Sequence, residues 1–205
     1  MFGIANETLI QTLAPTLKPL WAQCLAGREN LPRNGPCIVI ANHSSYLDFL
    51  ILGSVFRVAF HQPLYFWANS KVMNHPVWKW VAKAAECIEV RSQGSAREQL
   101  KQSKNYLNRG RFLCIFPEGT RSRTGDLADF KLGYLKLAWK LNVPILPIVL
   151  HNAYEALPPQ ARFPRFRRIR LTIHPPISVS RDFGRSDLDR LNHQIRERIF
   201  LPQKN

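Results

Sequence analysis

Several short segments carry apolar residues in the patterns of strands. Cys37-Ile38-Val39-Ile40-Ala41, Phe112 to Phe116 and Val143 to Leu150 are near-continuous apolar runs. Runs of that length suit strands buried on both faces. Cys87 to Val90 is a weaker run of the same kind, and Ile169 to Ile173 alternates, with Arg170 and Thr172 between apolar residues. Helical spacing between these runs predicts helices over Leu47–Phe56, Pro76–Ala85, Ser95–Asn108 and Leu132–Leu141. Ser186 to Phe200 reads as a C-terminal amphipathic helix with Leu188, Leu191, Ile195 and Ile199 on one face. Strands alternating with helices predict an α/β fold, a mainly parallel sheet flanked by helices.

Ahead of the first strand, residues 7–25 place Leu9, Ile10, Leu13, Leu17, Leu20, Trp21, Cys24 and Leu25 at helical spacing. Asn6 is a fair N-cap, and Pro15 and Pro19 kink or divide the helix. The polar face lacks the Lys/Arg band of an interfacial helix, so the segment is expected to dock on the core; a helix lying in the lipid interface is the alternative. Asn30 to Pro36 is rich in turn residues. The expected organisation is one domain over residues 31–205, preceded by an amphipathic helical segment over residues 1–30, with no internal repeat and no low-complexity tract.

Charge narrows the choice of partners. The 205 residues are 45% hydrophobic and 21% charged, a globular composition. Lys and Arg number 29 against 14 Asp and Glu, a formal charge of +15. Such an excess predicts a polyanionic partner: nucleic acid, an anionic membrane face or phosphorylated substrates. Cys24, Cys37, Cys87 and Cys114 form no CxxC pair, and the last three lie in or beside apolar runs. They read as small buried hydrophobes of a reducing compartment. The first Lys is Lys18, so a basic signal-peptide region is not seen. Apolar stretches of about 20 residues, the length that spans a bilayer, are also missing. A cytoplasmic protein, free or lying on a membrane surface, is expected.

In open α/β sheets ligands bind beyond the carboxyl ends of the strands. Two polar segments fall there: Asn42-His43-Ser44-Ser45-Tyr46-Leu47-Asp48 and Pro117-Glu118-Gly119-Thr120-Arg121-Ser122. On one continuous helix, His43 and Asp48 would point about 140° apart. If His43 lies in a turn and the helix starts after Ser45, they approach. A carboxylate beside an imidazole fixes its tautomer and stabilises the imidazolium, as a general base acting on an alcohol requires. Ser45-x-x-Asp48 also has the form of a capping box, so Asp48 as a helix cap beside a loop histidine stands as the structural alternative. In the second segment an Arg suited to phosphate oxygens follows a Gly that lets backbone approach a ligand. An ordinary charged loop with Glu118 paired to a nearby Arg is the alternative there. The Gly-x-Ser-x-Gly elbow, the Walker A loop, the dinucleotide fingerprint and His-x-x-x-His spacing are all missing, so neither a nucleotide site nor a metal site is indicated.

Taken together, the two segments resemble the His-x-x-x-x-Asp and Phe-Pro-Glu-Gly-Thr-Arg-Ser blocks of the glycerolipid acyltransferases. Ile88-Glu89-Val90-Arg91 is similar to the family's intervening block ending in Arg, and Val143-Pro144-Ile145-Leu146-Pro147-Ile148 resembles its final block. The blocks occur in order over roughly residues 36–150, and the 1-acylglycerol-3-phosphate acyltransferases of the PlsC type look closest. Ala85 stands where the family usually has Gly, and Glu89 where an apolar residue is common. The resemblance implies transfer of a fatty acyl chain from acyl-CoA or acyl carrier protein to the hydroxyl of a lysophospholipid, with lysophosphatidic acid as the default acceptor. It implies His43 as general base, Asp48 as its orienting partner, and Arg91 and Arg121 on the acceptor's phosphate. Glu118, Gly119 and Thr120 would shape that site, and Pro147 would belong to the wall near the donor. No cofactor is implied, because a thioester is already activated and the donor is a substrate. Glycerol-3-phosphate, another lysophospholipid and a lyso-ornithine lipid are alternative acceptors.

The basic charge then fits an anionic membrane surface. Arg162, Arg165, Arg167, Arg168 and Arg170 interleave with Phe163 and Phe166, and Tyr65, Phe66, Trp67, Trp78 and Trp80 add aromatics suited to the headgroup zone or to the core. Basic stretches with aromatics also describe RNA binding, but no nucleic-acid motif accompanies them, and no nucleic-acid partner is expected. A lipid-binding relative without catalysis is the remaining reading, and the intact His43 and Asp48 weigh against it.

Overall fold

The apolar run Cys37–Ala41 forms the centre of a sheet. The computed structural model describes residues 25–69, 88–90, 96–161, 163–165 and 167–201. Among them the strands are β1 (Leu25–Ala26), β2 (Cys37–Ala41), β3 (Leu64–Asn69), β4 (Ile88–Val90), β5 (Phe112–Ile115), β6 (Ile145–His151) and β7 (Arg170–Ile173). Their order across the sheet is β1-β7-β6-β2-β5-β3-β4. Only the β6–β7 pair is antiparallel; all other neighbours run parallel. In register, Val39 stands opposite Cys114, and Ile40 opposite both Ile115 and Pro147. Every residue of β2, β5 and β6 is buried, which is why these runs show no polar alternation.

Helices cover both faces. They are α1 (Leu47–Ala59), α2 (Ala96–Asn108), α3 (Gly133–Leu141), the single turn α4 (Ala153–Ala156) and α5 (Arg185–Ile195), which continues into a π-type turn over Arg196–Phe200. Phe49, Leu52, Val55 and Phe56 of α1 pack on Val39, Phe66, Phe112, Cys114 and Ile148. On the opposite face Tyr134, Leu135 and Ala138 of α3, with Leu188 and Ile195 of α5, pack on Ile38, Ile40, Leu113 and Ile145. Residues two apart along one strand thus serve one core and their neighbours the other, as the pleat requires.

The differences from the sequence reading have physical causes. Leu64–Asn69 is a strand, where only a cluster of aromatics was expected; Phe66 is fully buried against the first core, while Tyr65 and Trp67 pack on the second. Trp67 is therefore a core residue here, and its indole N–H donates to Ser103 Oγ at 3.0 Å. The run from Val143 becomes a strand only at Ile145, because Asn142 at φ +53° ends α3 and the Val143 N–H still bonds back to Ala138. Leu25, expected as the last residue of an N-terminal helix, instead pairs with Leu171 in the sheet, which therefore begins before the boundary drawn at residue 30. The remainder of that helix and the one expected over Pro76–Ala85 lie outside the described residues. No helix among the described residues is long and apolar enough to cross a membrane.

Burial makes a direct prediction for the thiols. Cys37 and Cys114 are fully buried thiols outside any disulfide, and burial pushes the Cys37 thiol up to about 12. Alkylation at mildly alkaline pH followed by peptide mass mapping should leave both unmodified in folded protein. Both should react once guanidinium chloride unfolds it. Modification of Cys37 in the folded state would show that the sheet's centre opens.

Candidate active site

Where β2 ends, the next residue continues its pairing with a side chain. Asn42 Nδ2 donates to the Leu150 carbonyl at 2.9 Å, and the Leu150 N–H donates to Asn42 Oδ1 at 2.8 Å. His43 follows in a turn, and α1 starts only at Leu47. That break lets a five-residue spacing bring His43 and Asp48 together: His43 Nδ1 lies 2.8 Å from Asp48 Oδ2. The same carboxylate oxygen accepts the Ser44 N–H at 2.8 Å and the Ser45 N–H at 2.9 Å. Asp48 is thus helix cap and histidine partner at once, so the two sequence readings describe one arrangement. An oxygen already accepting two amide protons takes a third from the ring. Nδ1 is therefore the protonated nitrogen and Nε2 keeps its lone pair.

Packing fixes the ring's plane. The imidazole stacks on Phe116 with centroids 4.0 Å apart and planes 17° apart, and meets Phe49 edge-on at 5.2 Å. Ser45 Oγ accepts the Leu47 N–H at 3.1 Å and donates to the Leu157 carbonyl at 2.9 Å, which ties the turn to the segment after α4.

The loop after β5 grips this turn. Glu118 Oε1 accepts the His43 N–H at 2.7 Å, and the His43 carbonyl accepts the Ser122 N–H at 2.8 Å. Glu118 Oε2 accepts the Ala128 N–H at 2.9 Å. Glu118 is 4% exposed, so this carboxylate is buried among backbone donors rather than displayed on a surface loop. Gly119 has φ +73°, a conformation that favours glycine, and its N–H closes the turn on the Phe116 carbonyl at 3.0 Å. Thr120 is exposed. Arg121 is half-buried with its guanidinium carbon 3.4 Å from the centroid of the Tyr46 ring. Its Nη1 is shut from solvent and has no hydrogen-bond partner among the described residues.

Beside the turn opens a small cleft, lined by the polar Asn42, His43, Ser44, Glu118 and Ser122 and by the apolar Leu127, Val149 and Phe200. Pro147 lies inside β6 opposite Ile40 and is not among the residues lining this cleft. Arg91 lies outside the described residues. His43, Asp48, Glu118, Gly119, Thr120 and Arg121 are brought together. Asn42, Phe116 and Tyr46 also belong to the arrangement. Sequence reasoning assigned them no role, although Asn42 and Tyr46 stand within the first polar segment and Phe116 directly precedes the second. An oriented base, a stacked guanidinium and an apolar wall can deprotonate a hydroxyl on an anionic, partly apolar substrate. Among the described residues no group of three or more His, Cys, Asp or Glu is placed to hold a metal ion.

Comparison with known proteins finds relatives of this chain. Residues 24–151 match the model of the family described as Acyltransferase. The chain is 30% identical over 177 residues to a protein of Borreliella burgdorferi named 1-acyl-sn-glycerol-3-phosphate acyltransferase, covering 85% of this chain and 69% of that one. It is 29% identical over 170 residues to the chloroplastic 1-acyl-sn-glycerol-3-phosphate acyltransferase BAT2 of Brassica napus, covering 81% of this chain and 48% of that one. The chain spans about half the length of most curated relatives it matches. Among solved structures, the crystal structure of the 1-acyl-sn-glycerophosphate acyltransferase PlsC from Thermotoga maritima superposes with a TM-score of 0.71 at 26% identity, over 95% of this chain and 76% of that one.

Because Glu118 joins two backbone amides from different segments, its loss should register in stability. Glu118→Ala strands both donors and should lower the unfolding free energy by about 3 kcal/mol in urea titration. Glu118→Gln keeps one acceptor oxygen and should recover part of the loss. A change within about 0.5 kcal/mol for the alanine variant would mean that the loop is held by other contacts.

Proposed function

The chain belongs to the acyltransferase family, and from that premise we propose that it transfers a fatty acyl chain from a thioester, acyl-CoA or acyl carrier protein, to the free hydroxyl of 1-acylglycerol-3-phosphate. The names of the matched relatives support the acceptor. The observation that carries the reading is the His43–Asp48 pair at 2.8 Å, placed in the turn that also faces a half-buried Arg121.

In this mechanism His43 Nε2 takes the acceptor's hydroxyl proton as the oxygen attacks the thioester carbonyl carbon. The tetrahedral intermediate collapses, the C–S bond breaks, and the imidazolium returns the proton to the leaving sulfur. Asp48 holds the ring by Nδ1 throughout, so the lone pair stays on the nitrogen offered to substrate. Arg121 and Arg91 receive the acceptor's phosphate, since a guanidinium fork matches phosphate oxygens. Glu118 acts at one remove, by fixing His43's backbone, while Gly119 and Thr120 shape the loop. Transfer of this kind depends chiefly on placing hydroxyl, thioester and base in one cleft.

The acceptor and its product are membrane lipids, and the protein is proposed to work at an anionic membrane face. Phe163 is 81% exposed, and Arg165, Arg167 and Arg168 beside it are exposed as well. An apolar tip within a basic collar suits the headgroup zone, where each basic residue contributes about 1 kcal/mol. The tip belongs to the segment that accepts the Ser45 hydroxyl at Leu157, so docking by it would bring lipid to the site's side of the sheet.

Thiol release from a long-chain acyl-CoA, with and without lysophosphatidic acid, tests the chemistry. Wild type should show acceptor-dependent release, and His43→Ala and Asp48→Asn should each lose about 10²–10⁴-fold. Near-normal transfer by His43→Ala would end the mechanism. No release with coenzyme A or carrier-protein donors, alongside intact lipid binding, would leave a lipid-binding protein. In sedimentation with anionic vesicles, binding should fall in high salt and with Phe163→Ser. Binding indifferent to both would place the contact elsewhere.

A further inference from the structure

We propose that Tyr46 is a positioning residue for phosphorylated acceptors. Its ring holds the Arg121 guanidinium, so the turn that carries the base also sets the place of the phosphate clamp. The inference deepens the acyltransferase reading and rests on Arg121 meeting the acceptor's phosphate.

Tyr46 occupies the N-cap position of α1, yet its side chain makes no capping bond. An aromatic residue is a poor choice there, where Ser, Thr, Asp and Asn are favoured. Capping is instead supplied by Asp48 Oδ2 and Ser45 Oγ, so the helix start does not need Tyr46. The ring meets Arg121, whose guanidinium carbon lies 3.4 Å from the ring centroid. At that distance the cation sits against the π-face, where the ring quadrupole attracts it. With one face covered by the ring, the guanidinium's N–H groups, which lie in its own plane, are left for fork-like contact with phosphate.

Arg121 Nη1 is buried and meets no acceptor among the described residues. A buried donor without a partner is costly, so the arrangement suits an acceptor that arrives with the ligand. The ring's own position is fixed relative to His43. The two residues lie three apart in a turn whose amides are tied to Asp48, and the Arg121 loop is tied back to the His43 carbonyl through Ser122. The span from base to clamp is therefore set by side-chain stacking across one turn. That span selects acceptors whose phosphate and hydroxyl are separated to match.

Steady-state kinetics with lysophosphatidic acid, on variants whose melting temperatures match wild type, tests this. Tyr46→Leu should raise KM for the acceptor about tenfold while kcat stays within about twofold, because the clamp is loosened and the base is not. Tyr46→Phe keeps the π-face and should restore KM. In an Arg121→Ala background, Tyr46→Leu should add nothing further, since it acts through that guanidinium. A fall in kcat at unchanged KM, or an undiminished penalty in the Arg121→Ala background, would overturn the proposal. If wild type itself transfers no acyl group, the acyltransferase reading fails separately, and inorganic phosphate then probes the clamp by thermal shift. Stabilisation that is lost in Arg121→Ala and weakened in Tyr46→Leu would uphold the stack. No stabilisation of wild type would overturn it.

Discussion

One carboxylate oxygen organises this site. Asp48 Oδ2 receives the imidazole Nδ1–H and two consecutive backbone amides. Those bonds turn the chain sharply between β2 and α1 and choose the tautomer of His43 in the same act. Neither task can be altered alone. A residue that capped the helix without a charge would weaken the hold on the ring, and a ring partner placed elsewhere would leave Ser44 and Ser45 without an acceptor. The helix start and the chemistry are one constraint.

The second block is subordinate to the first. Glu118 and Ser122 take His43's N–H and carbonyl, so the histidine's main chain is bound on both sides by a loop 75 residues away. The parallel pairing of β2 with β5 makes this possible, since it brings both carboxyl ends to one edge of the sheet. In the proposed transfer a thioester would need little beyond an oriented base and a held acceptor, which side chains from two adjacent crossings of the sheet would supply.

Much of this was legible in the amino-acid order. The runs at Cys37 and Phe112 mark central strands because burial on both faces removes polar alternation, and the two polar blocks that follow them mark the site. Leu64–Asn69 escaped because Tyr65 and Trp67 are only half-buried and read equally as interfacial aromatics. Leu25–Ala26 escaped because two residues carry no period. Glu118 stands in the candidate site and accepts amides from His43 and Ala128, contacts that its sequence neighbours do not announce. A carboxylate in a polar block looks like a surface group or a ligand contact, and nothing in sequence shows that two distant backbone amides will converge on it. The stack of Tyr46 on Arg121 was equally hidden, since contacts across 75 positions leave no local spacing.

Asn42 has one more implication. Its primary amide has the donor and acceptor of a peptide group, and it engages Leu150 as a further strand residue would. The chain leaves the sheet while a single side chain stands in for the missing rung, so β6 continues unbroken as the main chain swings away to present His43. Few residues can imitate a peptide at that reach. Aspartate offers no N–H and glutamine stands one methylene too far out. Asn42 is assigned no step of the proposed transfer, yet substitution there would fray the ladder beneath the base.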